Sequence, residues 1–463
     1  MIRFGYIIIG ISFFLIFCPA PIVYGGRYGL TLSLAPGSGS IGAGSAVERF
    51  PPPEFESGYQ QPLTTTPAPR QSIYEYIDAV VLLVVLGLSS YLVLKKRSRR
   101  AIFILMVFSL VYFGFWRKGC VCPIGATQNI VLSIFDRDYV VPVVTAVFFL
   151  SPLVFTLFFG RTFCAAVCPL GALQDFVLLS AHGGVSVPNW LESGLRLFAY
   201  VYLGMAVLFA ATGSAFIICR YDPFVSFFRL SGNFNILVLG ACFLVVGVFI
   251  GRPYCRFVCP YGVILRQLSR ISKWRVTITP DECVKCRLCE DSCPFGAIRE
   301  PTANWPIYEY GKGKKRLAFF IILLPILIFS GGWLGSDLRT VTSRMHDTVR
   351  LAERVYLEET GQVEGTTDAS LAFRATGKEA KELYGEASDI RAQFGPVGSL
   401  LGGFVGLVIG LKLIGLSVWR QRTDYVPDRA SCLACGRCFQ YCPREHVRLK
   451  NAKEARQGRG ESS

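Results

Sequence analysis

The sequence predicts a mainly α-helical, polytopic membrane bundle that carries a small cysteine-rich α+β domain, the two halves of that domain being split by a transmembrane hairpin. Three observations carry the prediction. Hydrophobic residues make up 52% and charged residues 17% of the 463 positions, and the charges lie in short blocks between long uncharged runs, a pattern that several membrane helices produce and one soluble core does not. The net charge of +16 is concentrated beside those runs, at Lys95, Lys96, Arg97, Arg99 and Arg100, at Lys312, Lys314, Lys315 and Arg316, and at Arg420 and Arg422. That is positive-inside patterning, and with no recognition motif beside it the charge does not point to nucleic acid. Finally, most of the 17 cysteines fall into regular clusters or beside Pro-x-Gly turns, spacing that suits metal ligation better than the disulfide framework of a small secreted chain.

In chain order, residues 1–25 combine Arg3, an apolar stretch from Phe4 to Phe17 and the small residues Gly25 and Gly26, and are expected to form a signal peptide or an anchor helix. Cys18 follows a Phe where lipoprotein processing needs a small residue, so it reads as a bystander. Residues 26–75, rich in Gly, Ser, Pro and Thr, read as an exported linker. Apolar runs near 76–94, 101–116, 139–160, 196–218, 234–250, 316–334 and 399–419 follow, each close to the length of roughly 20 residues that crosses a bilayer. These divide the chain into a transmembrane bundle over 76–272, a first cysteine-rich half over 273–312, a transmembrane helix over 313–334, an exported helical insert over 335–398, a transmembrane helix over 399–419, and a second cysteine-rich half and tail over 420–463.

Counting crossings from an exported 26–75 puts the Lys95–Arg100 block, the loop at Cys164, residues 252–316 and the tail inside. It puts the loops at Cys120 and Cys219 and the 335–398 insert outside. The expected location is the inner (cytoplasmic) membrane, multi-pass, with both cysteine-rich halves cytoplasmic. The insert reads either as a soluble cap or as a docking surface for an exported redox partner.

The strongest chemical signal is Cys283-Val-Lys-Cys286-Arg-Leu-Cys289-Glu-Asp-Ser-Cys293-Pro294, repeated as Cys432-Leu-Ala-Cys435-Gly-Arg-Cys438-Phe-Gln-Tyr-Cys442-Pro443. Both are the C-x2-C-x2-C-x3-C-P run of bacterial ferredoxins, in which the fourth cysteine ligates the other cluster. The expected ligand sets are therefore crossed: Cys283, Cys286, Cys289 and Cys442 on one [4Fe–4S] cluster, and Cys432, Cys435, Cys438 and Cys293 on the other. Zinc favours paired C-x2-C and is the weaker reading.

A second repeat follows two helices as Gly-Arg-Thr-Phe-Cys164-x3-Cys168-Pro169 and Gly-Arg-Pro-Tyr-Cys255-x3-Cys259-Pro260. Four thiolates on one face suffice for a third cluster; two helix-end turns without metal are the plain alternative. A variant turn holds Cys120 and Cys122, and its tail Cys-Pro-Ile-Gly-Ala-x-Gln-Asn echoes Cys-Pro-Leu-Gly-Ala-x-Gln-Asp at 168–175, which suggests duplication of a helix-plus-turn unit. With Cys219 it makes a candidate external metal or thiol site. Cys242, in mid-helix, reads as packing. The three histidines, His182, His346 and His446, lie outside the expected membrane helices, so haem is not expected, and no P-loop or dinucleotide fingerprint appears.

At these residues the chain resembles the NosR/NapH group of membrane-bound polyferredoxins, over roughly 76–300 and 400–445. The resemblance implies quinol oxidation and electron delivery to an exported or membrane-complex redox partner, so that the chain would pass electrons between the quinone pool and that partner as a candidate quinol dehydrogenase. The rival role is a non-catalytic assembly or regulatory subunit of a respiratory complex. The chain departs from the group in two ways: residues 26–75 are too short for the exported flavin-binding domain of NosR-type proteins, and the 335–398 insert exceeds what NapH-type proteins carry. Quinol oxidation needs a proton acceptor, for which Asp78, Arg220 and Asp222 are the candidates.

Overall fold

Runs free of ionisable side chains become helices because a backbone in hydrocarbon has to satisfy its own polar groups. The computed structural model describes residues 71–119, 122–136, 139–178, 187–229, 234–278, 283–302, 307–418 and 421–460. The expected leader and nearly all of the linker, with Cys18, Cys120, His182 and Arg420, lie outside the described residues.

Among the described residues five helices are long and apolar enough to cross a membrane: Ile73–Lys96, Arg99–Trp116, Trp190–Ala211, Gly311–Asp337 and Ala380–Ser417. The runs expected at 139–160 and 234–250 are the shorter helices Val143–Phe159, of 17 residues, and Phe234–Phe249, of 16. The run expected at 196–218 starts earlier, as Asn189–Ala211, and stops before Gly213, whose φ of 65° takes the chain out of the helix.

Among the shorter helices that begin on a proline are Pro123–Phe135, Pro169–Val177, Pro223–Arg229 and Pro260–Ser269. Proline at the first helical position removes an N–H that would have no partner there anyway. The residues before these prolines are Cys122, Cys168, Asp222 and Cys259, so the sequence repeat becomes a structural one. Around these turns the bundle core packs Phe113, Phe209, Phe224, Tyr254, Tyr261 and Phe394, all at most 1% exposed.

The last two long helices lie against one another through glycines. A Cβ on Gly402 would collide with the backbone oxygen of Gly331, and one on Gly335 with that of Gly398, the small-residue contact by which membrane helices bring their backbones together. The insert expected at 335–398 is helical: Arg339–Ser343, Asp347–Glu359 and Asp368–Ala375 lead into Ala380–Ser417, and Val349, Ala352 and Val355 pack on Leu383 and Ala387. The boundary at 398/399 is not a break in structure. One helix continues through it, and its sequence loses all ionisable residues from Ala392 to Leu411.

The two cysteine-rich halves are joined by a short antiparallel ladder in which Ile298 pairs with Pro427 and Arg299 with Val426. Asp428 N donates to Ala297 O at 2.7 Å, and Thr302 N to Arg422 O at 3.0 Å. Strands that close a sheet across more than a hundred residues of intervening chain make the halves one α+β unit.

Candidate iron–sulfur site

Within the two ferredoxin runs the backbone turns left-handed at matching places. Lys285 and Ala434, each just before a second cysteine, have φ of 52° and 56°; Arg287 and Gly436, each just after it, have φ of 66° and 75°. Three of these four are not glycine, and such conformations persist only where the surroundings enforce them. They curl each loop so that successive N–H groups face the sulfurs, as in Ala434 N to Cys432 Sγ at 3.4 Å, the nest geometry of iron–sulfur loops. The short helices Leu288–Asp291 and Arg437–Tyr441 then carry Cys289 and Cys438.

Cys283, Cys286, Cys289 and Cys442 line one pocket with Ile278 and Tyr425. Cys293 lies within electrostatic reach of Cys435, and Cys438 within reach of Cys432, Cys435 and Cys293. Burial, reinforced by Cys283 and Cys286, pushes the Cys289 thiol up to about 12, so cations have to displace its proton before it can ligate. Among the described residues no three His, Cys, Asp or Glu side chains converge on a single-ion site.

The Gly-Arg-x-x-Cys turns come together as well. Cys168 is within electrostatic reach of Cys164, Cys255 and Cys259. Gly262 N donates to Cys259 Sγ at 3.3 Å and Gln174 Nε2 to Cys255 Sγ at 3.2 Å. Gln174 Oε1 accepts from Tyr254 N at 3.0 Å, fixing the start of the second turn from the first. The motif arginines, which the sequence reading left without a role, are buried: Arg161 is 3% and Arg252 0% exposed. Arg161 Nη2 lies 3.7 Å from Cys164 Sγ, and Arg252 Nη1 donates to Cys164 O. Asp175, also missed, receives Arg99 at 2.6 Å, Arg252 at 3.6 Å and Arg437 at 3.5 Å. Arg437 lies inside the second ferredoxin run, and Arg99 also donates to Cys435 O at 3.1 Å. One carboxylate thus ties the bundle to the ferredoxin unit. The signal for it was in the sequence, as a lone Asp in an otherwise apolar turn helix. Cys164 packs in the same apolar cluster as Cys293, Cys432 and Cys435, so the two sites are contiguous.

Other expectations change. Cys122 and Cys168 line one pocket with Phe163 and Phe228, so the Cys122 turn is not separated from the C-x3-C-P turns as the crossing count had it. The count treated every apolar run as a complete span, and two of them are short helices. Cys242 is exposed on Phe234–Phe249 and does not pack inside the bundle. Asp78 and Asp222, the candidate proton acceptors, are 0% and 2% exposed. Asp78 pairs with Arg117 at 2.8 Å and accepts from Tyr112 Oη at 2.8 Å. Asp222 accepts from Phe224 N at 2.9 Å and Tyr254 Oη at 3.3 Å, whereas Arg220 lies over the Tyr221 ring, 5.8 Å from its centre.

Spanning helices and gathered cysteines define a multi-pass iron–sulfur membrane protein. A 4Fe-4S binding domain model matches residues 141–183 and again 233–279, one C-x3-C-P turn in each, and a further 4Fe-4S binding domain model matches 276–299, over the first ferredoxin run. The chain is 28% identical over 209 residues to an uncharacterized protein of Methanocaldococcus jannaschii, covering 44% of this chain and 82% of that one. It is 26% identical over 118 residues to YccM of Escherichia coli, a candidate electron transport protein, covering 23% of this chain and 33% of YccM. It is 29% identical over 119 residues to the protein NirI of Paracoccus denitrificans, covering 25% of this chain and 18% of NirI. No solved structure matches. Fold, site and relatives together fit a membrane-bound iron–sulfur electron-transfer family like NosR/NapH.

Proposed function

We propose that the chain exchanges electrons between the quinone pool and a redox partner through two crossed-ligand [4Fe–4S] clusters and a third cluster on Cys164, Cys168, Cys255 and Cys259. The observation that carries the reading is the buried positive charge at the third set. Arg161, Arg252, Arg256 and Arg266 are all at most 7% exposed, against the buried carboxylates Asp175 and Glu192. Uncompensated buried cations cost several kcal/mol each, and a cluster on four thiolates is an anion that offsets them. The clusters supply one-electron chemistry. The protein's own part is to hold the thiolates, neutralise them with arginine and keep water away. Cys164, packed in the same apolar cluster as Cys293, Cys432 and Cys435, makes the sites one continuous route.

In this reading the ferredoxin unit faces the cytoplasm beside the basic segments of the inner membrane, and the 335–398 insert is the exported face for the partner. Asp78, held by Arg117 and Tyr112, is the proton acceptor for quinol. The rival role, an assembly or regulatory subunit, has no observation of its own in its favour. Adding a quinol analogue to anaerobically purified, oxidised protein tests the choice: bleaching of the cluster absorbance supports electron exchange with quinol, and an unchanged spectrum assigns the protein to the rival role. Separately, Cys164→Ser with Cys255→Ser removes about four irons per chain if the third cluster is present; unchanged iron contradicts it.

A further inference from the structure

Three helices of the bundle, Asn189–Ala211, Pro260–Ser269 and Ala380–Ser417, pack together through an apolar cluster of Tyr200, Leu203, Val263 and Val408. Each also brings a cation to that junction: Arg196, Arg266 and Lys412. Lys412 is the sole ionisable residue from Ala392 to Val418, and an ionisable residue inside a membrane helix is functional by default. A lysine this near a helix end has the reach to leave for water. Its Nζ instead turns into the bundle, donating to Ser193 O at 2.6 Å and lying 5.4 Å from the centre of the Tyr200 ring.

The charges at this junction do not balance. Arg266 and Arg196 both act on Lys412, and both repel it. The carboxylate of Glu192 is shared, with Arg256 Nη2 at 2.6 Å and Arg196 bonded to it as well. Among the described residues Arg266 and Lys412 donate to the backbone carbonyls of Arg256 and Ser193 and to no carboxylate. Asp428 and Arg299, also within reach of Arg196, add one charge of each sign. Arg266 is 6% exposed, and its Nε, like that of Arg196, is buried without a hydrogen-bond partner. The thiolates draw first on other arginines: Arg252 and Arg161 act on Cys255, and Arg256 on Cys293. Buried cations short of counter-charge are costly, and an anion seated among these three supplies what is missing. Tyr200 Oη accepts from Gln267 Nε2 at 2.7 Å, which leaves its own proton to donate to such an anion.

The depth of the site indicates what brings the anion. Trp190, in the first turn of Asn189–Ala211, and Leu416, in the last turn of Ala380–Ser417, are both exposed. An exposed Trp at the start of a membrane helix stands at the level of the lipid headgroups, where basic pockets between helices take lipid phosphates. Arg196 and Lys412 are open enough to be reached from there, Arg196 being 14% exposed and Lys412 half-buried.

We propose that Arg196 and Lys412, backed by Arg266, bind a phosphate group at the membrane interface, carried by the headgroup of an anionic phospholipid. The bound phosphate joins Ala380–Ser417, the helix that leads into the second ferredoxin half, to the two helices on which it packs. The site does not depend on which partner the clusters serve.

The test uses the full-length chain, purified in detergent and washed free of lipid, with native mass spectrometry and the thermal midpoint as readouts. Phosphatidylglycerol is expected to form a retained single-lipid adduct and to raise the midpoint. Phosphatidylcholine with the same acyl chains, whose choline cancels the phosphate charge, is expected to bind about tenfold more weakly. Lys412→Met is expected to weaken phosphatidylglycerol binding about tenfold and Lys412→Arg to retain it, with a cooperative unfolding transition as the check on folding. If Lys412→Met does not fold, Arg196→Gln is read by the same criterion. Inorganic phosphate alone is the second arm: a rise in the parent's midpoint that Lys412→Met loses, without any lipid adduct, upholds the phosphate site and makes its source the free anion. Equal binding of the two lipids, equal phosphatidylglycerol binding by parent and Lys412→Met, or no effect of either lipid or phosphate overturns the proposal.

Discussion

The Asp175 carboxylate lies 3.6 Å from the Arg252 guanidinium, and both side chains are completely removed from solvent. Arg99 and Arg437 reach the same carboxylate, so one negative charge anchors three positive ones from three parts of the chain. Removing one partner of a buried ion pair leaves the rest uncompensated, at a cost of about 3–5 kcal/mol. Asp175→Asn is therefore expected to lower the thermal midpoint of the protein markedly. It is also expected to raise the reduction potential of the clusters beside Cys435 and Cys164, since added net positive charge favours the reduced form. Redox titration followed by electron paramagnetic resonance checks this; an unchanged or lower potential contradicts it.

Crossed ligation makes a distinctive prediction for the fourth cysteine of each run. Cys442→Ser is expected to deplete the cluster held by Cys283, Cys286 and Cys289, although it lies in the other half of the chain, and Cys293→Ser to deplete the one held by Cys432, Cys435 and Cys438. Pairing Cys442→Ser with Cys286→Ser should then cost no more iron than either change alone. Iron content and the remaining cluster signal read the outcome; additive loss would indicate uncrossed sets.

The glycine contact between the last two membrane helices has no slack. Gly402→Leu puts a side chain where the Gly331 carbonyl oxygen already sits. The expected result is separation of the hairpin, lower stability in detergent and weaker retention of iron, because the second of these helices leads into the second ferredoxin half. Gly311→Ala, at a glycine with open space around it, is the control and should leave all three unchanged.

The insert carries a pH dependence of its own. His346 caps the helix Asp347–Glu359, its Nδ1 accepting from Thr348 N at 3.2 Å, which requires the neutral ring. Burial holds its pKa below the ordinary 6.5. A base depressed in the folded state contributes stability that is complete above its unfolded value and is lost as the pH falls through the folded value. The protection factor of the Thr348 amide, its exchange measured against the unstructured rate at the same pH, is expected to fall as the pH drops below about 6.5, and His346→Asn, which keeps a capping acceptor, should abolish that fall. A protection factor insensitive to pH in the parent contradicts it.

Much of this architecture was written locally. Cys-x2-Cys-x2-Cys-x3-Cys-Pro specifies its own loop, and the proline-started turns follow from one dipeptide each. Polar pairings between distant segments were not legible: Asp175 with Arg437, or Gln128 with the N–H of Ile218, depend on tertiary placement that no periodicity encodes. The crossing count took every apolar run as a complete span, whereas Val143–Phe159 and Phe234–Phe249 are shorter helices of 17 and 16 residues.

The account rests on iron–sulfur clusters held jointly by cysteines from both halves of the ferredoxin unit. Its most direct test is iron and sulfide quantification with electron paramagnetic resonance on the full-length chain purified without oxygen. At least about eight irons per chain, with magnetically interacting [4Fe–4S] signals that vanish in Cys286→Ser with Cys435→Ser, is the predicted result. Colourless protein without iron, or zinc in its place, would contradict it.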